Sequence, residues 1–325
     1  MSETVAWSRS ELVEHGRETI AKGSKSFALA SLMFGREMQA DVQMLYAWCR
    51  YCDDVIDGQD LGGDAPDATL TQAEQSARLE RLKRNTERAL NGEKIGVPAF
   101  DGFAIVAHKA SMPRRFPMDL LDGFAMDAAA RRYETLNDVM EYCYGVAGAV
   151  GVMMAIVMGV RDDDDETLDR ACDLGLAFQL TNICRDVIAD ASAGRVYFPA
   201  EILRRHGVEP TASAVVDRAN RERVAGAARD MLDVADLHYR SATEGLRRLP
   251  PRASAAIAAA RNVYGAIGRI VRQRGAGAWD ARAVVPPVQK TMLALTGVAA
   301  GAPQPILKKS APMAPRGSLW KRPLR

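Results

Sequence analysis

Apolar residues recur at helical spacing along most of the chain, and runs that alternate apolar with polar are scarce. That period predicts helices at roughly 10–22, 38–57, 70–91, 98–109, 117–130, 136–159, 166–190, 212–247, 252–274 and 280–299. The gaps hold helix breakers. Gly58 to Pro66 contains a Gly-Gly pair and a proline, Gly92 to Pro98 is a second gap, and Pro250-Pro251 separates two late helices. No repeat of fixed period and no Gly/Ser linker divides the chain, so one all-α domain over 1–300 is expected, followed by a tail at 301–325.

Tyr142 to Val160 runs nineteen residues without a charge, long enough for a membrane span. It also carries four glycines, follows Glu141 directly and precedes Asp162 to Asp165. A helix apolar all round can equally be the central helix of a large bundle. With no other segment of membrane character, a buried core helix is the expectation.

Composition narrows the class. Of 325 residues, 48% are hydrophobic and 26% charged, ample for a core, and the net charge of +2 gives no reason to expect nucleic acid. Five cysteines in helix-like segments suit free thiols in a reducing compartment. Met1 to Arg17 lacks the apolar stretch of a secretory signal, which points to the cytoplasm. After Asp280 there is no acidic residue, and residues 302–325 hold five prolines. That tail fits a disordered, soluble end. It fits equally a segment drawn to anionic lipid head groups, with Trp320 at the interface.

The candidate chemistry lies in two acidic clusters. Asp53 and Asp57 stand at i and i+4 with Arg50 three residues earlier, so all three share one helix face. Like charges at that spacing repel, and a bridging divalent cation would reverse the sign. On a second helix Asn182, Asp186 and Asp190 repeat at i, i+4 and i+8, with Arg185 alongside. These hard oxygen donors suit Mg2+ or Mn2+, which keep waters and complete their shells with phosphate oxygens. Two such helices with nearby cations describe a diphosphate site in a helical bundle. Gly23-Ser24-Lys25-Ser26 adds hydroxyls and a lysine, although serines there also suit ordinary capping. Cys49-x-x-Cys52 has no partner pair for zinc, and neither a dinucleotide fingerprint nor a nucleotide-binding lysine loop is present, so NADPH is not expected.

At these residues the chain resembles the squalene/phytoene synthase family of head-to-head prenyl synthases, and the bacterial phytoene-forming branch in particular. The matching pieces are Gly23–Phe27, Leu45–Arg50 leading into Asp53–Asp57, Gly123–Asp127, Tyr142–Gly148, Leu176–Asn182, Arg185-Asp186 and Gly194–Pro199, in unbroken order over roughly 20–290. The resemblance implies an isoprenoid synthase-like helical bundle with a central cavity. It implies head-to-head condensation of two geranylgeranyl diphosphates, through prephytoene diphosphate, to phytoene with release of diphosphate, the first committed step of carotenoid biosynthesis. By the same resemblance, Asp53, Asp57, Asn182, Asp186 and Asp190 would hold Mg2+ or Mn2+. Ser24, Lys25, Ser26, Tyr46, Arg50, Gln179 and Arg185 would meet the diphosphates, with Arg282 at the second one. Tyr142, Val146 and Gly151 would line the cavity, the small residues letting a prenyl chain approach the backbone. Tyr197 and Tyr264 would stand near the reacting carbons, and Tyr197 or a released diphosphate would take the final proton. The family also implies ATP, for which no residue here accounts, and an apolar product that suits peripheral contact with the inner face of a membrane. A C15-using synthase, a terpene cyclase and a non-catalytic scaffold are the competing expectations.

Overall fold

The computed structural model describes residues 6–58, 71–308 and 310–324. The first helices are α1 (Arg9–Gly23), α2 (Lys25–Ser31), α3 (Arg36–Asp57), α4 (Gln72–Leu90), α5 (Pro98–Lys109) and α6 (Arg115–Ala128). Next come α7 (Leu136–Cys143), a π-turn (Tyr144–Gly148), α8 (Ala149–Val157), α9 (Asp165–Ser192), α10 (Ala200–Arg205) and α11 (Ala212–Val216). The last are α12 (Arg221–Gly245), α13 (Pro251–Arg274), α14 (Pro287–Gly301) and α15 (Gln304–Lys308). No strand occurs among the described residues. The all-α expectation holds.

Starts and stops follow local chemistry. Ser8 with Glu11, Thr71 with Glu74 and Thr135 with Asp138 each form a reciprocal cap that satisfies free N–H groups of the first turn. Gly92 and Gly96 take left-handed φ of 81° and 80° in the predicted gap, and Pro251 opens α13. Apart from Gly58, whose φ of 68° ends α3, the expected Gly58–Pro66 break lies outside the described residues.

Two expectations need correction, and three short helices were not foreseen. The helix predicted over 212–247 is broken at Asp217, whose extended backbone and side chain, accepting from the Ala219 N–H at 2.9 Å, end one helix and begin the next turn. The helix predicted from 280 starts only at Pro287, because Pro286-Pro287 bars helical geometry upstream. The short helices α2, α10 and α15 were too brief for periodicity to reveal.

Leu136–Val157 is long and apolar enough to cross a membrane, yet it is mostly buried inside the protein. It is the expected core helix. The 28-residue α9, about 42 Å long, packs against it, α12 and α13. Contact is close because Gly151 and Gly175 lack side chains: a Cβ there would lie 2.4 Å from the Ala171 carbonyl oxygen and 2.2 Å from that of Ala147. On the opposite side α3 packs on α1 and α5, with Trp48 stacked on Phe103 at 4.2 Å. All five cysteines carry free thiols.

The tail is neither disordered nor free to meet lipid through Trp320. Arg316 donates to both carboxylate oxygens of fully buried Asp173 at 2.7 and 2.9 Å and pairs with Asp169 at 3.0 Å. Buried Arg322 pairs with Asp165 and Asp169. Trp320 packs on Tyr144 and donates to Asn137 at 3.1 Å. The tail's positive charge therefore answers carboxylates along the first half of α9, as a strap.

Candidate active site

A cavity of about 700 Å3 runs between α3, α8, α9 and α13. Of the residues singled out from sequence, Ser24, Lys25, Ser26, Tyr46, Arg50, Asp53, Tyr142, Val146, Gly151, Gln179, Asn182, Arg185, Tyr264 and Arg282 line it. Asp57, Asp186, Asp190 and Tyr197 are not in the lining but are joined to it by ion pairs, hydrogen bonds or charge. The two acidic stripes occupy one end. Val150, Met154, Leu174, Phe178 and Ile267 add apolar wall.

Each stripe is answered by arginine. Arg50 donates to Asp53 at 2.9 Å and pairs with buried Asp54 at 2.5 Å, so the sequence pattern of Asp53 and Asp57 omitted one partner of Arg50. Asp57 instead pairs with Arg195 at 3.1 Å. Arg185 grips the adjacent Asp186, Nε to Oδ1 at 2.9 Å, and Arg282 reaches the same carboxylate at 3.3 Å. Burial works against Asp186, but Arg185 and Arg282 hold its carboxyl below the usual range.

Other carboxylates are raised by burial. Desolvation pushes Asp53 up to about 7 despite Arg50, with Asp57, Asp54 and Asp127 adding repulsion. Desolvation likewise pushes Asp190 up to about 7, with Asp186 and Asp127 raising it and Arg195 and Arg185 opposing. Asp127 thus connects the stripes electrically. It accepts from the Tyr197 hydroxyl at 2.7 Å and from that of Tyr142 at 3.0 Å, and the two rings stack at 5.0 Å. Desolvation raises Asp127 to about 6 even so.

Asp127 and Arg195 were the residues sequence reasoning missed. Both sit inside the quoted motif segments, but Asp127 stands at neither i+3 nor i+4 from Asp119 or Asp122 on its helix, and Arg195 lies in a loop. The Arg195 N–H bonds the Asp190 carbonyl at 2.8 Å, a helix-end turn that carries its side chain across to α3.

Gly151 serves the packing as well as the cavity. It does line the cavity, but its missing side chain is required by the α9 backbone behind it. Ser24 also has an ordinary duty, accepting from the Phe27 N–H as the cap of α2.

The donor set fits a divalent cation in one respect. Asn182 Oδ1 is buried and has no hydrogen-bond partner among the described residues. Desolvation raises the nearby carboxylates Asp53 and Asp190 to about 7, and a cation beside them would favour their charged forms. Among the described residues, however, no three His, Cys, Asp or Glu side chains converge to cage an ion. The ligands are divided between helices, which suits an ion that keeps waters and takes substrate phosphate oxygens.

A family model described as squalene/phytoene synthase matches residues 20–289. The chain is 46% identical over 318 residues to the phytoene synthase of Pseudescherichia vulneris, covering 98% of this chain and 100% of that one. It is 46% identical to the 15-cis-phytoene synthase of Pantoea ananas, over 96% and 98% of the two chains. Among solved structures it resembles a dehydrosqualene synthase in complex with ligand, at a TM-score of 0.78 and 26% identity, over 90% and 96% of the chains.

Proposed function

The chain belongs to the squalene/phytoene synthase family, and from that premise we propose that it is a 15-cis-phytoene synthase, condensing two geranylgeranyl diphosphates head to head. The observation that carries this is the pair of arginine-bearing acidic stripes at one end of an apolar cavity, in a chain 46–48% identical to phytoene synthases. Its product would enter carotenoid biosynthesis, and the enzyme would work in the cytoplasm with peripheral contact to the membrane.

Asp53 and Asp57 on one helix and Asn182, Asp186 and Asp190 on the other would hold Mg2+ or Mn2+. When bound, these ions would neutralise the leaving diphosphate and stabilise the charge that develops as its C–O bond breaks. Arg50, Arg185 and Arg282 line the same end of the cavity and offer forked donors that match a diphosphate. The apolar wall around Val150, Met154 and Phe178 would keep water from the allylic cation. Tyr197, whose hydroxyl donates to Asp127, would take the final proton while passing its own to that carboxylate, or the departing diphosphate would take it. Two diphosphates and two protons leave over the whole reaction, so no reductant is needed.

Likeness to a dehydrosqualene synthase favours a second reading, in which the substrates are C15. The experiment is an incubation of purified protein with Mg2+ or Mn2+ and geranylgeranyl diphosphate, without NADPH, followed by mass analysis of extracted products. A C40 hydrocarbon of phytoene mass, lost on Asp53→Ala or Asp186→Ala, is expected. A C30 product from farnesyl diphosphate with no C40 product would move the substrate to C15, and neither product would overturn the synthase reading.

A further inference from the structure

Surface helices ordinarily turn one apolar face inward and a polar face to water. Helix α14 does not. Its inner face is made of small residues: Ala294, Gly297 and Gly301 are buried, and a Cβ on Gly297 would lie 2.5 Å from the Ala259 Cα of α13. Its outer face carries Val288, Met292 and Leu295, spaced to fall on one stripe and exposed by 76%, 62% and 64%. Val284, just before the helix, is 63% exposed. Large apolar side chains held out together in this way mark an interaction surface.

Charge says what kind. From Pro251 to Arg325 the sequence holds thirteen lysines and arginines and one acidic residue, Asp280. Four of the arginines, Arg272, Arg282, Arg316 and Arg322, are already paired with carboxylates of α9 and α12, and the excess remains strongly positive without them. Helix α13, on which α14 lies, contributes five arginines and no carboxylate. A second copy of this chain would bring the same positive charge to the contact, which disfavours self-association. An anionic lipid surface satisfies both the stripe and the charge.

Position gives the surface a purpose. Arg282, Val284, Val285 and Lys290 line the cavity, so the stripe begins at the cavity rim. We propose that α14 lies in the head-group layer of an anionic bilayer, with Val288, Met292 and Leu295 inserted. Val284 then joins the cavity to the acyl region, and a hydrocarbon product passes into lipid without crossing water. This deepens the membrane contact proposed above and rests on the synthase reading for its purpose. The docking itself is measured without substrate, so its failure would leave that reading standing.

The test is flotation of the full chain with vesicles of phosphatidylcholine alone or mixed with phosphatidylglycerol. Binding to the anionic vesicles is expected, weakening as salt is raised. The double variant Met292→Gln/Leu295→Gln should lower partitioning by about tenfold or more. Its thermal melt and its turnover of detergent-dispersed substrate should be unchanged, because both side chains are exposed and outside the cavity. Equal partitioning of the two proteins would overturn the proposal. So would a wild-type dimer that the variant abolishes, with no vesicle binding, which would assign the stripe to a second copy.

Discussion

Replacing Asp127 by asparagine should separate what this residue costs from what it does. In the folded protein desolvation lifts its pKa from 3.8 to about 6. At 1.36 kcal/mol per unit, that withholds about 3 kcal/mol of stability once the carboxyl is ionised. Against this stand the bonds from Tyr142 and Tyr197. A hydrogen bond to a charged acceptor contributes about 1.5–3 kcal/mol, and asparagine keeps one acceptor oxygen, so about one such bond is lost. Asp127→Asn is therefore expected to match the wild type or exceed it by up to about 1.5 kcal/mol at pH 8. The sign with pH follows from the raised pKa. The wild-type deficit is absent well below pH 4, where both states are protonated, grows between about pH 4 and 6 as the unfolded carboxyl ionises first, and levels off above 6. The variant's relative stability should thus be about 1 kcal/mol greater at pH 8 than at pH 5. Urea unfolding in chelated buffer at the two pH values measures this. Turnover should go the other way, with kcat falling about a hundredfold as Tyr197 loses its charged acceptor. A variant with full kcat, or one more than about 2 kcal/mol less stable at pH 8, would refute the reasoning.

Asp186→Asn removes the carboxylate shared by Arg185 and Arg282, and product formation under saturating Mg2+ should fall at least about a hundredfold. Stripping divalent ions with chelator should abolish turnover of the wild type, and adding Mg2+ should restore it. Gly175→Ala places a Cβ 2.2 Å from the Ala147 carbonyl oxygen, so α8 and α9 must part. A loss of about 2–4 kcal/mol and a Tm lower by several degrees are expected in calorimetry. Arg316→Met strips buried Asp173 of its tail partner at a cost of about 3–5 kcal/mol, read as faster tryptic cleavage of the tail. Burial works against Asp173, but His238 and Arg316 hold it below its ordinary 3.8. The strap should therefore be intact above about pH 4 and loosen as pH falls below it; tail cleavage by an acid-active protease would report this.

The helical class, most helix positions and both acidic stripes were legible because each rests on spacing within one element. Asp53 with Asp57, and Asn182 with Asp186 and Asp190, share faces by the 3.6-residue period alone. Pro286-Pro287 and Asp217 were visible as well, but their local geometry competed with a longer apolar pattern, and the local geometry won.

What lay beyond reach depended on groups distant along the chain. Asp127 has no neighbour in sequence that marks it, and only packing brings it between Tyr142 and Tyr197 and within the field of both stripes. Arg195 meets Asp57 across 138 residues. The tail's arginines read as solvent or lipid charges until the fold set them against Asp165, Asp169 and Asp173. Gly151 read only as room for a prenyl chain, and packing adds the α9 backbone, which would meet a Cβ there. Periodicity determines which face of a helix a side chain occupies, since that is set by backbone geometry alone. Only tertiary packing decides what stands opposite that face, and with it which charges are paired and which are left to draw a cation.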